Sequence, residues 1–153
     1  MAGPTVQTTF DLVFANGAWV DRRRIGELCK GATRIVACDG ALQRCLNAEV
    51  IPSVVVGDMD SVDPEALNTF TASGGEVVRL VEQNSNDLAK AVGWLEQNGS
   101  GRCIVVGATG GDPQHEWANL LSCVASNIDV ECESTTQYYR FLRPGATYSI
   151  EIK

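Results

Sequence analysis

The chain has 153 residues, 44% hydrophobic and 20% charged, with a net charge of −7. That is the length and composition of one globular domain rather than a disordered chain. Twelve basic residues against nineteen acidic ones argue against a phosphate-backbone binder, so no nucleic-acid partner is expected. No apolar run approaches the roughly 20 residues of a membrane span, and MAGPTVQTTF lacks a signal-peptide pattern, so no membrane partner and a cytoplasmic location are expected. The six cysteines (29, 38, 45, 103, 123 and 132) include no C-x-x-C pair and mostly sit in apolar segments. They read as buried free thiols of a reducing compartment.

In chain order, short apolar runs alternate with helix patterns. Strands are expected at 11–16, 33–39, 53–58, 76–80, 102–107 and 128–133. Helices are expected at 40–48, at 64–72 behind Asp63-Pro64, at 87–97 and at 116–125. In 87–97 the stripe is Leu88, Ala91, Val92 and Leu95. In 116–125 it is Trp117, Leu120, Leu121 and Val124, and each stripe suits packing on a sheet. The alternation predicts an open, mostly parallel Rossmann-like α/β sheet with helices on both faces. Residues 135–143 and 146–153 read as a β-hairpin about Pro144-Gly145. That hairpin would either add to the sheet or open a second, all-β unit, so the expected division is a catalytic α/β unit over 1–133 and a β-hairpin, the candidate opening of a β-domain, over 134–153.

Polar residues gather where these strands end, the place where open α/β sheets bind ligands. Asp39 closes one strand, and Asp58 and Asp60 follow another in G-D-M-D-S. In an extended segment those two would share a side, with Met59 on the other. Hard oxygen ligands at adjacent strand ends suit Mg²⁺. Asp87 opens a helix that Ser85 or Asn86 can cap, and Lys90 lies one turn on. As an isolated pair, Asp87 and Lys90 read as a solvated i, i+3 contact. Gly107, Gly110 and Gly111 lie between a strand and a helix, where backbone amides can approach phosphate. No standard nucleotide fingerprint or nucleophile elbow is present. The set points to a Mg²⁺-bound polyphosphate and phosphoryl transfer.

The segments ACDGA (37–41), IPSVVVGDMDSV (51–62), EQNSNDLAKAV (82–92) and VVGATGG…H…AN (105–119) resemble the catalytic domain of thiamine pyrophosphokinases over about residues 11–145. The resemblance implies transfer of diphosphate from the co-substrate ATP to thiamine, giving thiamine diphosphate and AMP. It implies that Asp39, Asp58, Asp60 and Asp87 hold Mg²⁺ and phosphate, with Asp58, Asp60 and Asp87 catalytic. Ser61, Gln83, Asn86 and Lys90 would line the substrate and phosphate side. Asn16, Gly17, Gly40, Thr109, Gly110, Gly111 and His115 would contact nucleotide. A homodimer is implied, and Tyr138, Tyr139 and Tyr148 are candidates for stacking on the thiamine ring. The sequence departs from the family in having Asn86 for Thr, and Asp112 and Gln114 for an Arg and an Asp. A pyrophosphokinase for another alcohol, such as a hydroxymethylpterin, and a nucleotide-binding domain without turnover are the alternatives.

Overall fold

The computed structural model describes residues 9–145 and 147–149. The elements run β1 (Phe10–Phe14), α1 (Arg22–Gly31), β2 (Ala32–Cys38), a single 3₁₀ turn (Asp39–Ala41), α2 (Leu42–Asn47), β3 (Val54–Gly57), α3 (Pro64–Ala72), β4 (Glu76–Arg79), α4 (Asp87–Gln97), β5 (Arg102–Val106), α5 (Pro113–Ala125), β6 (Asp129–Glu133) and β7 (Tyr138–Arg140). They form one seven-stranded sheet in the order β4-β3-β2-β1-β5-β6-β7. Every pairing is parallel except β6 with β7.

This order has one reversal. From β1 the chain steps outward to β4, then returns to β5 on the other side of β1. Right-handed crossovers then place α1, α2 and α3 on one face and α4 and α5 on the other. The contacts of α2 with α3, and of α4 with α5, agree with that division. The central strands are buried on both faces, which explains their unbroken apolar runs: Leu12, Val13 and Phe14 in β1, Val36 and Ala37 in β2, and Val105 and Val106 in β5 are all fully buried. Each such Val, Leu or Phe contributes about 1.5–3 kcal/mol over its exposed state.

The expected strands and helices are all present, with ends moved by a few residues. α3 begins with Pro64 behind Asp63, whose carboxylate accepts from Ala66 N–H at 3.3 Å. On α4 the predicted stripe of Leu88, Ala91, Val92 and Leu95 is buried. The cysteines are free thiols, five of them buried and Cys29 half-buried.

Four readings require correction. Helix α1 was not among the expected helices, because Arg22-Arg23-Arg24 masks a short stripe of Ile25 and Leu28. Its start signal is Asp21, which accepts from Arg24 N–H at 2.8 Å. On α5 only Leu120 of the predicted stripe packs against the core. Trp117, Leu121 and Val124 are exposed, and Cys123 is the buried residue. The face turned inward carries Ala118, Asn119, Ser122 and Cys123, small or polar groups suited to a helix beside a cavity. The Asn119 side chain donates to the carbonyl of Ala108 at 2.9 Å. The C-terminal hairpin is also not the one expected. Residues 138–140 pair with β6 through the Ser134–Gln137 turn, extending the same sheet, and residues 146 and 150–153 of the expected second arm lie outside the described residues. Finally, residues 58–61 are not extended: Met59 has φ 68°, and Asp60 N–H donates to Asp58 Oδ1 at 2.9 Å, closing a turn.

At the opposite end of the sheet, Asp11 is buried beneath a two-point bridge from Arg34, with both contacts 2.9 Å. Burial works to raise the Asp11 pKa, but the Arg34 hydrogen bonds and charge, with Ser100, bring it below the usual carboxylate value.

Candidate active site

The sheet reverses between β1 and β5, and splayed connections there open a crevice at the carboxyl ends of the strands. Its volume is about 460 Å³. Ala15, Asn16 and Gly17 follow β1, Gly107 and Ala108 follow β5, and Cys38 and Gly40 come from the end of β2. Asn86, Asp87 and Leu88 open α4, while Asp112, His115 and Asn119 belong to the start of α5.

Two of these loops are locked together. The amide of Gly17 donates to the carbonyl of Gly107, and that of Ala18 to the carbonyl of Thr109, both at 2.7 Å. Gly17 is required by this approach, since a Cβ there would stand 2.3 Å from the Thr109 carbonyl oxygen. Asn16-Gly17 is therefore a wall of the crevice that continues β1 pairing past the end of the strand.

The acids lie at the ends of β2 and β3. Asp39 is 1% exposed. Its Oδ1 accepts from Gly40 N–H at 2.8 Å and its Oδ2 from Met59 N–H at 2.9 Å. Gly57 makes room for it, because a Cβ on Gly57 would lie 2.5 Å from the Asp39 carboxyl carbon. Burial, then the charge of Asp87, then a hydrogen bond with Asp58 push the Asp39 pKa up to about 6. Asp58 moves the other way, held low by the Asp60 amide, by Asp39 and by the Lys90 ammonium. The two carboxyls are thus pushed apart, Asp39 holding its proton to a higher pH than Asp58.

Lys90 is only 7% exposed, so it is not the solvated residue its helix position suggested. It has no ion-pair partner among the described residues and acts electrostatically on Asp58. Asn86 caps α4, accepting from Ala89 N–H at 2.7 Å, and its amide donates to Ser122 of α5 at 3.3 Å.

The fold brings together Asn16, Gly17, Gly40, Ser61, Asn86, Asp87, Gly111 and His115 around the crevice. Asp39, Asp58 and Lys90 stand behind its rim and sense one another and Asp87 or Glu82 electrostatically. Asp60 and Gln83 are exposed and outside the lining, with the Gln83 side chain on the carbonyl of Val81. Thr109 is buried, and Gly110 donates its amide to Glu116 Oε2 at 3.1 Å. The Gly110 amide, one of those expected to meet phosphate, is therefore already engaged. The Gln114 and His115 amides donate to Asp112 Oδ1, the cap of α5. Sequence reasoning missed Glu116 and Asn119 as lining residues. Their i, i+3 relation on the first turns of α5 was the available signal, obscured by the apolar stripe beside it. Tyr138 and Tyr139 lie on the edge strand β7 and do not line the crevice.

No three His, Cys, Asp or Glu side chains form a metal cage among the described residues. Mg²⁺ does not need one, as it usually takes one or two carboxylates and completes its shell with water and phosphate. Asp58 and Asp87, both accessible and both in electrostatic contact with Asp39, are hard-oxygen donors of that kind.

An open α/β fold with a crevice at the sheet reversal and carboxylates at adjacent strand ends has the ligand-site geometry of the doubly wound class. A sequence model described as "Thiamin pyrophosphokinase, catalytic domain" matches residues 25–132, and the chain belongs to that family. It is similar to Thiamine pyrophosphokinase 1 of Oryza sativa subsp. japonica, 36% identical over 76 residues, which is 45% of this chain and 29% of that protein. The solved thiamin pyrophosphokinase from Candida albicans shares the fold at TM-score 0.69 and 18% identity, covering 83% of this chain and 58% of its own. The yeast enzyme does so at TM-score 0.69 and 14% identity, covering 86% and 60%. The chain thus spans less than two thirds of these relatives.

Proposed function

We propose that this chain is the catalytic unit of a thiamine diphosphokinase, binding Mg²⁺-ATP in the crevice and transferring its terminal diphosphate to thiamine. The observation that carries the reading is the Asp39–Asp58 pair, at adjacent strand ends and in electrostatic contact with Asp87, which lines the crevice. In the reaction the thiamine hydroxyl oxygen bonds to the β-phosphorus, the bond from that phosphorus to the α-phosphate bridging oxygen breaks, and AMP leaves with the electron pair.

Asp58, Asp60 and Asp87 are the proposed metal-holding and catalytic carboxylates, with Asp39, held by the Gly40 and Met59 amides, orienting them. The metal would neutralise charge on the phosphates. Asp87, which lines the crevice, would accept the hydroxyl proton. Lys90 would act on phosphate through space, as it acts on Asp58. Asn16, Gly17, Gly40, Gly111 and His115 would hold nucleotide, while Ser61, Gln83 and Asn86 serve the substrate side. Thr109 and Gly110 support the loop by backbone contacts.

The test is AMP release from Mg²⁺-ATP with and without thiamine, beside Asp58→Ala. Thiamine-dependent AMP that the variant abolishes is the expected result. Its absence overturns the reading, and AMP released only with a pterin alcohol redirects it. The same reading includes a homodimer in the cytoplasm. The five buried thiols accord with a reducing compartment, and among the described residues no helix is long and apolar enough to cross a membrane. Light scattering at micromolar concentration checks the dimer.

A further inference from the structure

The crevice walls do not balance the charge of a polyphosphate. Asp87, Asp112 and Glu116 line them, and no lysine or arginine does. The Gly110, Gln114 and His115 amides offer little relief, since Glu116 and Asp112 already accept from them. A cation must therefore reach the site from outside the lining.

One arginine is held against the wall without being neutralised. Arg44 Nη1 donates to the carbonyl of Gly17 at 2.6 Å, and its guanidinium carbon lies 4.2 Å from the centre of the Trp19 ring. Trp19 is fixed in turn by its indole N–H on the Ala15 carbonyl at 2.8 Å and by Phe14, 4.8 Å away. No carboxylate pairs with Arg44 among the described residues. A guanidinium has five N–H donors, and the Gly17 contact uses one. Its position is equally specific. Gly17 lines the crevice, and a Cβ on Gly111 would lie 4.0 Å from the Gly17 Cα. Arg44 thus grips the strip of backbone against which the residue before Asp112 rests.

We propose that Arg44 is a phosphate-binding residue of this crevice, supplying from α2 the positive charge that the β5–α5 loop lacks. The assignment rests on reading the crevice as the Mg²⁺-ATP site. It makes the stacked Trp19 a positioning residue, which keeps the fork in place without screening its charge.

The experiment compares equilibrium binding of Mg²⁺-ATP and of adenosine to wild type, Arg44→Gln, Arg44→Lys and their combinations with Asp112→Arg. Loss of charge-assisted hydrogen bonds is expected to weaken Mg²⁺-ATP about tenfold in Arg44→Gln and to flatten its salt dependence, with adenosine unchanged. Arg44→Lys keeps the charge without the fork, so it falls between the two. Asp112→Arg restores a cation one residue from the same contact, and its gain is larger in Arg44→Gln than in wild type. Equal Mg²⁺-ATP affinity in Arg44→Gln, or a parallel loss of adenosine, overturns the proposal, the latter leaving Arg44 a support for the Gly17 wall. Should Arg44→Gln not fold, Arg44→Lys with and without Asp112→Arg decides by the same non-additivity. A wild type that binds neither ligand removes the nucleotide reading itself, and this assignment with it.

Discussion

The Met59 amide donates to Asp39 Oδ2 at 2.9 Å while Met59 holds φ 68°, a left-handed conformation that a side chain rarely adopts. The Met59 side chain is buried, which anchors the turn, and the turn delivers the amide. One hydrogen bond thereby ties the end of β2 to the end of β3 and fixes Asp58 beside Asp39. Asp39→Ala should leave the Gly40 and Met59 amides without their acceptor. The expected cost is about 1–3 kcal/mol of stability with loss of Mg²⁺-ATP binding. Urea denaturation and calorimetric titration measure the two effects, and an unchanged affinity would remove Asp39 from the site.

The raised Asp39 pKa sets a pH dependence of definite sign. Between the unfolded value of 3.8 and the folded value of about 6, the folded chain keeps a proton that the unfolded chain has released. This contribution to stability therefore falls as pH rises through that window, and the penalty is complete above it. The difference in unfolding free energy between wild type and Asp39→Asn should slope downward from pH 4 to 6. A flat difference would mean that the carboxyl titrates normally.

Gly17→Ala tests the wall. Its Cβ would meet the Thr109 and Gly107 carbonyl oxygens at 2.3 and 2.4 Å, so the β5–α5 loop must move. Overpacking of this kind costs about 1–3 kcal/mol, and nucleotide affinity should fall with it. A melting temperature and a nucleotide affinity matching wild type would show that the two loops are not locked.

Arg34→Ala should act on stability alone. It strands the buried Asp11 carboxylate at the end of the sheet opposite the crevice and should cost about 3–5 kcal/mol. The Asp11 pKa is depressed in the folded state, so the lost stability is the part present above the unfolded carboxylate pKa and lost as pH falls. Chemical denaturation at neutral and acid pH should show the gap between variant and wild type closing in acid.

Much of the molecule is legible in its residues. Doubly buried strands carry unbroken apolar runs, as in VVVG of β3, and the caps Asp63 and Asn86 mark their helices because a side-chain oxygen must satisfy the first free amides. Asp39, Asp58 and Asp87 could be assigned to one place because parallel strands deliver all their carboxyl ends to the same edge. The elements that went unread are those whose local pattern conflicts with their tertiary role. These are the arginine-rich start of α1, the exposed stripe on α5 and the pairing of β7 with β6.

What the sequence determined by itself was the order of elements, the chemistry of the strand ends and the family, since these depend on periodicity and on residue type. Only the tertiary structure decided which groups act together. It turned G-D-M-D-S into a turn about Met59 and buried Lys90 behind Asp58. It engaged the Gly110 amide with Glu116 and brought Arg44 to Gly17 across 27 residues. Such contacts join residues distant in the chain, and their strength depends on burial and geometry that no local pattern encodes.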